Sequence, residues 1–311
     1  MGKIWTADTA DNIRILTRQL LAYEMKYNEN KVHHLYTKGL ENNIIFRDRE
    51  DYTVGMNYIA LCIFICGIDL LAFTLMSNHF HFAALGKPDD CKRFIDLFKF
   101  HISRYIRHKY GTESLLRRID THCKSIENTN DALRTLIAYI LRNHIKAGIN
   151  QTIQGYEWSS GRCYFSGIDH LAGTIPVTRL GTREYRRIMR TRTVINSSFM
   201  LNCKGYIEPA SYIRTDIVEA CFGRPQSLDY HVFKISSQRS KEGPVEFSDR
   251  LVMAGLKEIL VKKYDVDRIE ALNESARKDV ALLLKRQFNS PPKQLARIIQ
   301  ISLSELQMWL S

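Results

Sequence analysis

Residues 54–76, VGMNYIALCIFICGIDLLAFTLM, form a long apolar run with a single charge, and they restrict the possible folds more than any other segment. The run is long enough to cross a bilayer. Asn57 and Asp69 would be costly in lipid, and Gly67-Ile68-Asp69 reads as a turn. The run is therefore expected to divide into a buried helix over about 50–65 and a buried strand over 68–76. Asp48 is placed to cap that helix, and Glu50 and Asp51 suit the positive end of its dipole.

The strand at 68–76 is followed by Ser77-Asn78 and then by HFHFAALG (79–86), a second strand. Two strands joined so tightly must run antiparallel. VHHLYTKG (32–39) reads as an earlier strand. Pro88-Asp89-Asp90 opens a helix, with Asp89 or Asp90 as the expected N-cap. Phe94, Ile95, Phe98, Ile102 and Ile106 lie on one face of it, and it ends near Gly111. A strand at about 118–126 and a helix from Asn130 to Ala147, closed by Gly148, complete the series. The order strand–helix–strand–strand–helix–strand is that of an α+β, ferredoxin-like (RRM-like) antiparallel sheet with one helix appended.

Lys and Arg number 45 against 33 Asp and Glu, a formal charge of +12. With an ordinary apolar fraction of 45%, this excludes a disordered chain, an acidic solvating protein and a fibrous one. A basic excess of this size favours a polyanionic partner. The seven cysteines are scattered with no C-x-x-C, so neither a disulfide framework nor a zinc finger is indicated, and free thiols in a reducing cytosol are expected. MGKIWTADTADNIR has no apolar signal region, which adds to the expectation of a cytoplasmic, nucleoid-associated protein without a membrane anchor.

The chemistry concentrates at two places. In a strand alternate side chains share a face, so His79 and His81 point one way and Phe80 and Phe82 the other. Two neutral imidazoles so spaced can ligate one divalent metal ion. His33, His34, His101, His108 and His122 are read as surface or packing residues. In LRTLIAYILRNHIKAG (133–148), Leu133, Leu136, Ile137 and Ile140 make an apolar stripe, while Tyr139, Asn143 and Lys146 share another face. Such a set could supply a nucleophilic oxygen, an amide ligand to a metal, and a counter-charge. The plainer alternative is a half-buried tyrosine with its hydroxyl at the surface.

Strand 32–39, IIFRDRED, LMSNHFHF, SRYIRHKYG, AYILRNHIKAG and YEWSS (156–160) occur in an order that resembles the single-tyrosine HUH transposases, specifically the REP-associated tyrosine transposases. The resemblance covers about residues 31–165. It implies that His79 and His81 are metal ligands, Asn143 the third ligand, and Mg²⁺ or Mn²⁺ the ion. It also implies that Tyr139, on the appended helix, attacks single-stranded DNA at a hairpin. The products would be a 5′-phosphotyrosine and a free 3′-hydroxyl, and the reverse attack would rejoin a strand. Asn143-His144 stands where the family usually has Asn-Pro, so His144 could add an imidazole to the metal. Tyr105 is the rival nucleophile, and Tyr110 a weaker one. Lys38-Gly39 and Asn42-Asn43 fall where relatives contact hairpin DNA, and Lys146 is a further DNA contact. A homodimer fits the superfamily, as does a monomer. The rival class is a catalytically inactive or domesticated protein that binds hairpin DNA or RNA. A replication initiator or relaxase is disfavoured, since no Walker motif is present.

Three domains are expected: 1–170, catalytic; 171–245, a basic connector; and 246–311, helical. The connector holds the densest positive run, with Arg183, Arg186, Arg187 and Arg190 as candidate DNA-backbone contacts. Residues 291–311 fit a helix-turn-helix, with Ala296 at the crossing, Ile299, Ile301, Leu306 and Trp309 in its core and Ser302 capping the second helix. Lys285, Arg286, Lys293 and Arg297 could touch phosphates. Gln300 occupies the usual glycine position and the second helix carries no Lys or Arg, so a packing or dimerisation role competes with DNA reading.

Overall fold

A computed structural model describes residues 30–37, 44–111, 120–147, 149–195, 198–234, 247, 249–288 and 290–310. Lys38, Gly39, Asn42, Asn43 and Gly148 lie outside them, so the expectations placed on those residues have no structural counterpart.

The apolar run divides as its polar residues suggest. Helix α1 spans Arg49–Cys66. The Asp48 carboxylate accepts from the Asp51 N–H at 3.0 Å to start it. Gly67, at φ 65°, stops it in the left-handed conformation that glycine adopts without strain. Strands β1 (Lys31–Thr37), β2 (Asp69–Met76), β3 (His79–Gly86) and β4 (Thr121–Ser125) form one antiparallel sheet in the order β2-β3-β1-β4. Helix α2 (Pro88–Tyr110) follows β3, and helix α3 (Asn130–Lys146) follows β4. Asp89 and Asp90 do not cap α2. Pro88 takes the first helical position, which makes Lys87 the N-cap and puts both carboxylates in the first turn, where they complement the dipole.

The pleat sorts the side chains of β3 as expected. Phe80 and Phe82 face α2, with ring centroids 4.9 Å (Phe80–Phe98), 5.2 Å (Phe82–Phe94) and 5.1 Å (Phe82–Phe98) apart, in edge-on contacts. His79 and His81 lie on the opposite face, which α3 covers over β2 and β3.

The two polar residues that argued against a membrane span are tethers. Asn57 is 1% exposed. Its Nδ2 donates to the carbonyls of Ile188 (3.3 Å) and Gly205 (3.1 Å), and its Oδ1 accepts from the Ile207 N–H at 2.9 Å. Asp69 pairs with Arg214 at 2.9 Å. Among the described residues no helix is long and apolar enough to cross a membrane.

Both tethers, Asn57 on α1 and Asp69 on β2, reach the described part of segment 171–245, which was expected to be a connector. Instead it packs into the core of the sheet domain. It contains a two-residue ladder, β5 (Ile175–Pro176) with β6 (Met200–Leu201), and helices α4 (Thr182–Met189), α5 (Thr215–Phe222) and α6 (Pro225–Lys234). Tyr185, Met189, Tyr206, Ile207, Ile213 and Val218 join the same buried cluster as the sheet. YEWSS runs along the free edge of β2. The Trp158 carbonyl accepts from the Leu75 N–H (2.9 Å), the Tyr156 hydroxyl donates to the Leu75 carbonyl (2.7 Å), and Ser160 Oγ accepts from the Phe73 N–H (3.0 Å). Further along the edge, the Arg214 N–H donates to the Leu70 carbonyl at 3.0 Å.

A second cluster forms from α7 (Asp249–Tyr264), α8 (Glu274–Phe288), α9 (Pro292–Ile299) and α10 (Leu303–Leu310). Gly255 lets α7 and α8 meet, because a Cβ there would lie 2.1 Å from the Phe288 ring. Ala296, Ile299, Leu306 and Trp309 are buried between the last two helices. Gln300 adopts φ 58° at the end of α9, and Ser302 Oγ accepts from the Glu305 N–H at 3.1 Å to start α10.

Candidate functional site

The register of the sheet assembles the site. Tyr36 on β1 lies opposite His81 on β3 and also opposite His122 on β4, and Thr74 on β2 flanks His81 from the other side. These side chains share the face that carries His79. They form a row of rings: His122 stacks on Tyr36 at 4.8 Å, Tyr36 on His34 at 4.4 Å, and His34 on His81 at 5.2 Å.

Helix α3 completes the row. Thr129 caps its start by accepting from the Ala132 N–H at 3.1 Å. Its apolar stripe, Leu133, Leu136, Ile137 and Ile140, is buried. That burial turns Tyr139 to the imidazoles. Its ring stands edge-on to His81 at 5.3 Å and to His34 at 5.6 Å. One turn on, Asn143 interacts with the His79 ring, and Lys146 is near enough for its charge to act on it.

Three imidazoles here, those of His34, His79 and His81, are held neutral. Burial pushes His79 and His34 down to about 4, and His81 well below the ordinary histidine range. His79 Nδ1 lies 2.7 Å from Asn78 Oδ1. An amide oxygen only accepts, so Nδ1 carries the proton and Nε2 keeps its lone pair. Asn143 Nδ2 donates to the carbonyls of Tyr139 (2.9 Å) and Ile140 (3.2 Å), so its oxygen is the side-chain atom directed away from the helix backbone bonds. A neutral imidazole and the oxygen of a neutral amide, side by side, are both donor types that a divalent ion accepts. Among the described residues no group of three His, Cys, Asp or Glu side chains is placed to hold a metal.

The other expected site residues lie apart. His144 is fully buried, stacks on Tyr156 at 4.9 Å, and has Nε2 3.1 Å from the Thr152 carbonyl oxygen, so it packs the end of α3. Burial lowers it to about 4. Tyr105 lies across the sheet from Tyr139, and its hydroxyl donates to Asp51 at 2.8 Å. Burial and that carboxylate raise its pKa, the opposite of what a nucleophile needs. Tyr110 donates to Asp51 at 2.8 Å, and its pKa is raised by burial and the same carboxylate. Arg183, Arg186 and Arg187 are exposed on α4. Arg190 pairs with Glu50 at 2.5 Å and lies 5.1 Å from the Tyr105 ring, on the α1–α2 side of the sheet rather than the histidine side.

Three residues of the site were missed or misassigned from sequence. His34 was read as surface or packing, and Tyr36 was given no role. Their i, i+2 spacing on β1 does signal a shared face. Arg142 is 7% exposed and has no carboxylate partner among the described residues, yet it is close enough to Tyr139 for their charges to interact. No family model, no curated protein and no solved structure matches this chain.

Proposed function

We propose that the chain is a metal-dependent, single-stranded DNA strand transferase of the single-tyrosine HUH type, acting at a DNA hairpin. One observation carries the proposal: α3 presents Tyr139 edge-on to His81 at 5.3 Å and Asn143 to His79, on one face of the sheet. The strand order β2-β3-β1-β4, with helices after β1 and β3, supports a ferredoxin-like reading of the sheet.

His79, His81 and Asn143 would hold Mg²⁺ or Mn²⁺, which when bound supplies Lewis-acid polarisation of the scissile phosphate. The Tyr139 oxygen attacks phosphorus. A tyrosyl O–P bond forms, the P–O3′ bond breaks, the phenolic proton is released, and the leaving 3′-oxygen takes one up. Arg142, buried without an anionic partner, supplies positive charge for the phosphate and for the developing phenolate. Lys146, one further turn along, adds to the same field. The exchanged bonds are both phosphodiesters, so the reverse attack by a 3′-hydroxyl rejoins a strand without an external energy source.

The test is covalent trapping. Wild type and Tyr139→Phe are incubated with labelled hairpin DNA from the flanks of the protein's own gene, with Mn²⁺ or with chelator, and run on denaturing gels. Label should follow the protein only for wild type with metal. Trapping by Tyr139→Phe would move the nucleophile elsewhere. A native-gel shift with no trapping on any flanking hairpin would favour a binding protein without chemistry.

A further inference from the structure

His34 Nε2 lies 3.0 Å from His81 Nδ1. At that separation the contact is a single N–H···N hydrogen bond, and one of the two nitrogens carries the proton. If His34 donates, His81 accepts at Nδ1, its own proton sits on Nε2, and it has no lone pair left for an ion. If His81 donates from Nδ1, its Nε2 keeps its lone pair, as the Nε2 of His79 does. The contact therefore decides whether His81 can act as a ligand.

We infer that His34 is a positioning residue that accepts the Nδ1 proton of His81 and so holds its Nε2 ready for a divalent cation. The two ligand histidines are then oriented alike, each through its Nδ1: His79 by the Asn78 amide oxygen at 2.7 Å and His81 by the His34 ring at 3.0 Å. Ligand imidazoles are commonly oriented by a partner at the second nitrogen, and loss of that partner weakens metal binding. His34 is itself fixed. Tyr36 stacks on it at 4.4 Å, and the Tyr139 ring stands against it edge-on at 5.6 Å. This inference rests on the metal-site reading above, and it extends that site to β1.

Nitrogen-15 spectra of histidine side chains in the metal-free protein report the tautomer directly, and Mn²⁺ titration followed by electron paramagnetic resonance reports affinity without any turnover. Wild type should show His81 protonated at Nδ1. His34→Phe should move that proton to Nε2 and weaken Mn²⁺ binding about 10–100-fold. His34→Gln, whose side-chain oxygen can accept, should restore both. Wild-type His81 protonated at Nε2, or His34→Phe binding Mn²⁺ as tightly as wild type, would overturn the inference. A wild type that binds no Mn²⁺ sinks the metal site and the inference with it. The tautomer spectra need no ion, and they separate that failure from a wrong role for His34.

Discussion

An arginine that is largely buried and has no carboxylate among the described residues, as at Arg142, is desolvated at a cost to folding unless it serves something outside the fold. Replacement by an apolar side chain of similar length should therefore leave stability unchanged or raised. Arg142→Met is expected to keep the urea midpoint at or above wild type. It should weaken binding to single-stranded DNA and lower the salt slope of log K by about 0.7, the share of one phosphate contact. Equilibrium unfolding and a salt series of fluorescence-anisotropy titrations check the two halves separately. At this scale the legible residues were those whose geometry is local. His79 and His81 share a face because the pleat repeats every two residues, and Tyr139 and Asn143 share one because a helix turns in 3.6. His34 escaped because its partner lies 47 positions away and is chosen by strand register, which no local periodicity encodes. Arg142 escaped because charge on a helix ordinarily marks its solvated side.

Elements were read most securely where both ends carried a chemical stop. Helix α1 has Asp48 and Gly67, and α2 has Pro88 and Gly111. The misplaced cap at Asp89 or Asp90 came from weighing side-chain acceptors above the proline, whose fixed φ claims the first helical position. In the C-terminal helices the unusual residue is Gln300, held at φ 58°, where a Cβ is strained. Gln300→Gly should stabilise the helical cluster by about 0.5–1 kcal/mol, the relief of strain being offset partly by the greater freedom of glycine in the unfolded chain. Thermal melts of the full chain would show the gain, and a fall in melting temperature would indicate that the Gln300 side chain holds α9 to its neighbours. Segment 171–234 was misjudged for a different reason. Its helices α4 and α5 have only eight residues each, too few for an apolar repeat to stand out, and the arginines of α4 drew the reading toward a solvated face. Its burial becomes visible only when Asn57 is seen bonding to the backbone at residues 188, 205 and 207.

The whole molecule stores many neutral imidazoles. Burial is the leading cause in every case: it lowers His33 and His81, and brings His34, His79 and His144 to about 4. The unfolded chain binds those protons near pH 6.5, whereas in the folded chain His34, His79 and His144 resist until about pH 4. The stabilising contribution is thus complete above pH 6.5 and is lost as pH falls from there toward 4. The unfolding free energy of metal-free protein, read from urea titrations, should fall steeply over that interval, by on the order of several kcal/mol in total. A flat profile from pH 7.5 to 5 would mean that the histidines are hydrated in solution.

The covering of β2 has a consequence for assembly. Its outer backbone groups are already engaged by Trp158, Ser160 and Arg214, with Tyr156 and Tyr164 donating to the carbonyls of Leu75 and Leu71. An incoming strand finds no vacant ladder on that side. The sheet is end-stopped: any growth by recruitment of another chain, whether a second copy or an aggregating neighbour, is left to the β4 flank. Among the described residues, the four-stranded sheet can therefore be extended only at β4, and two copies joined there would leave no open β2 edge for a third.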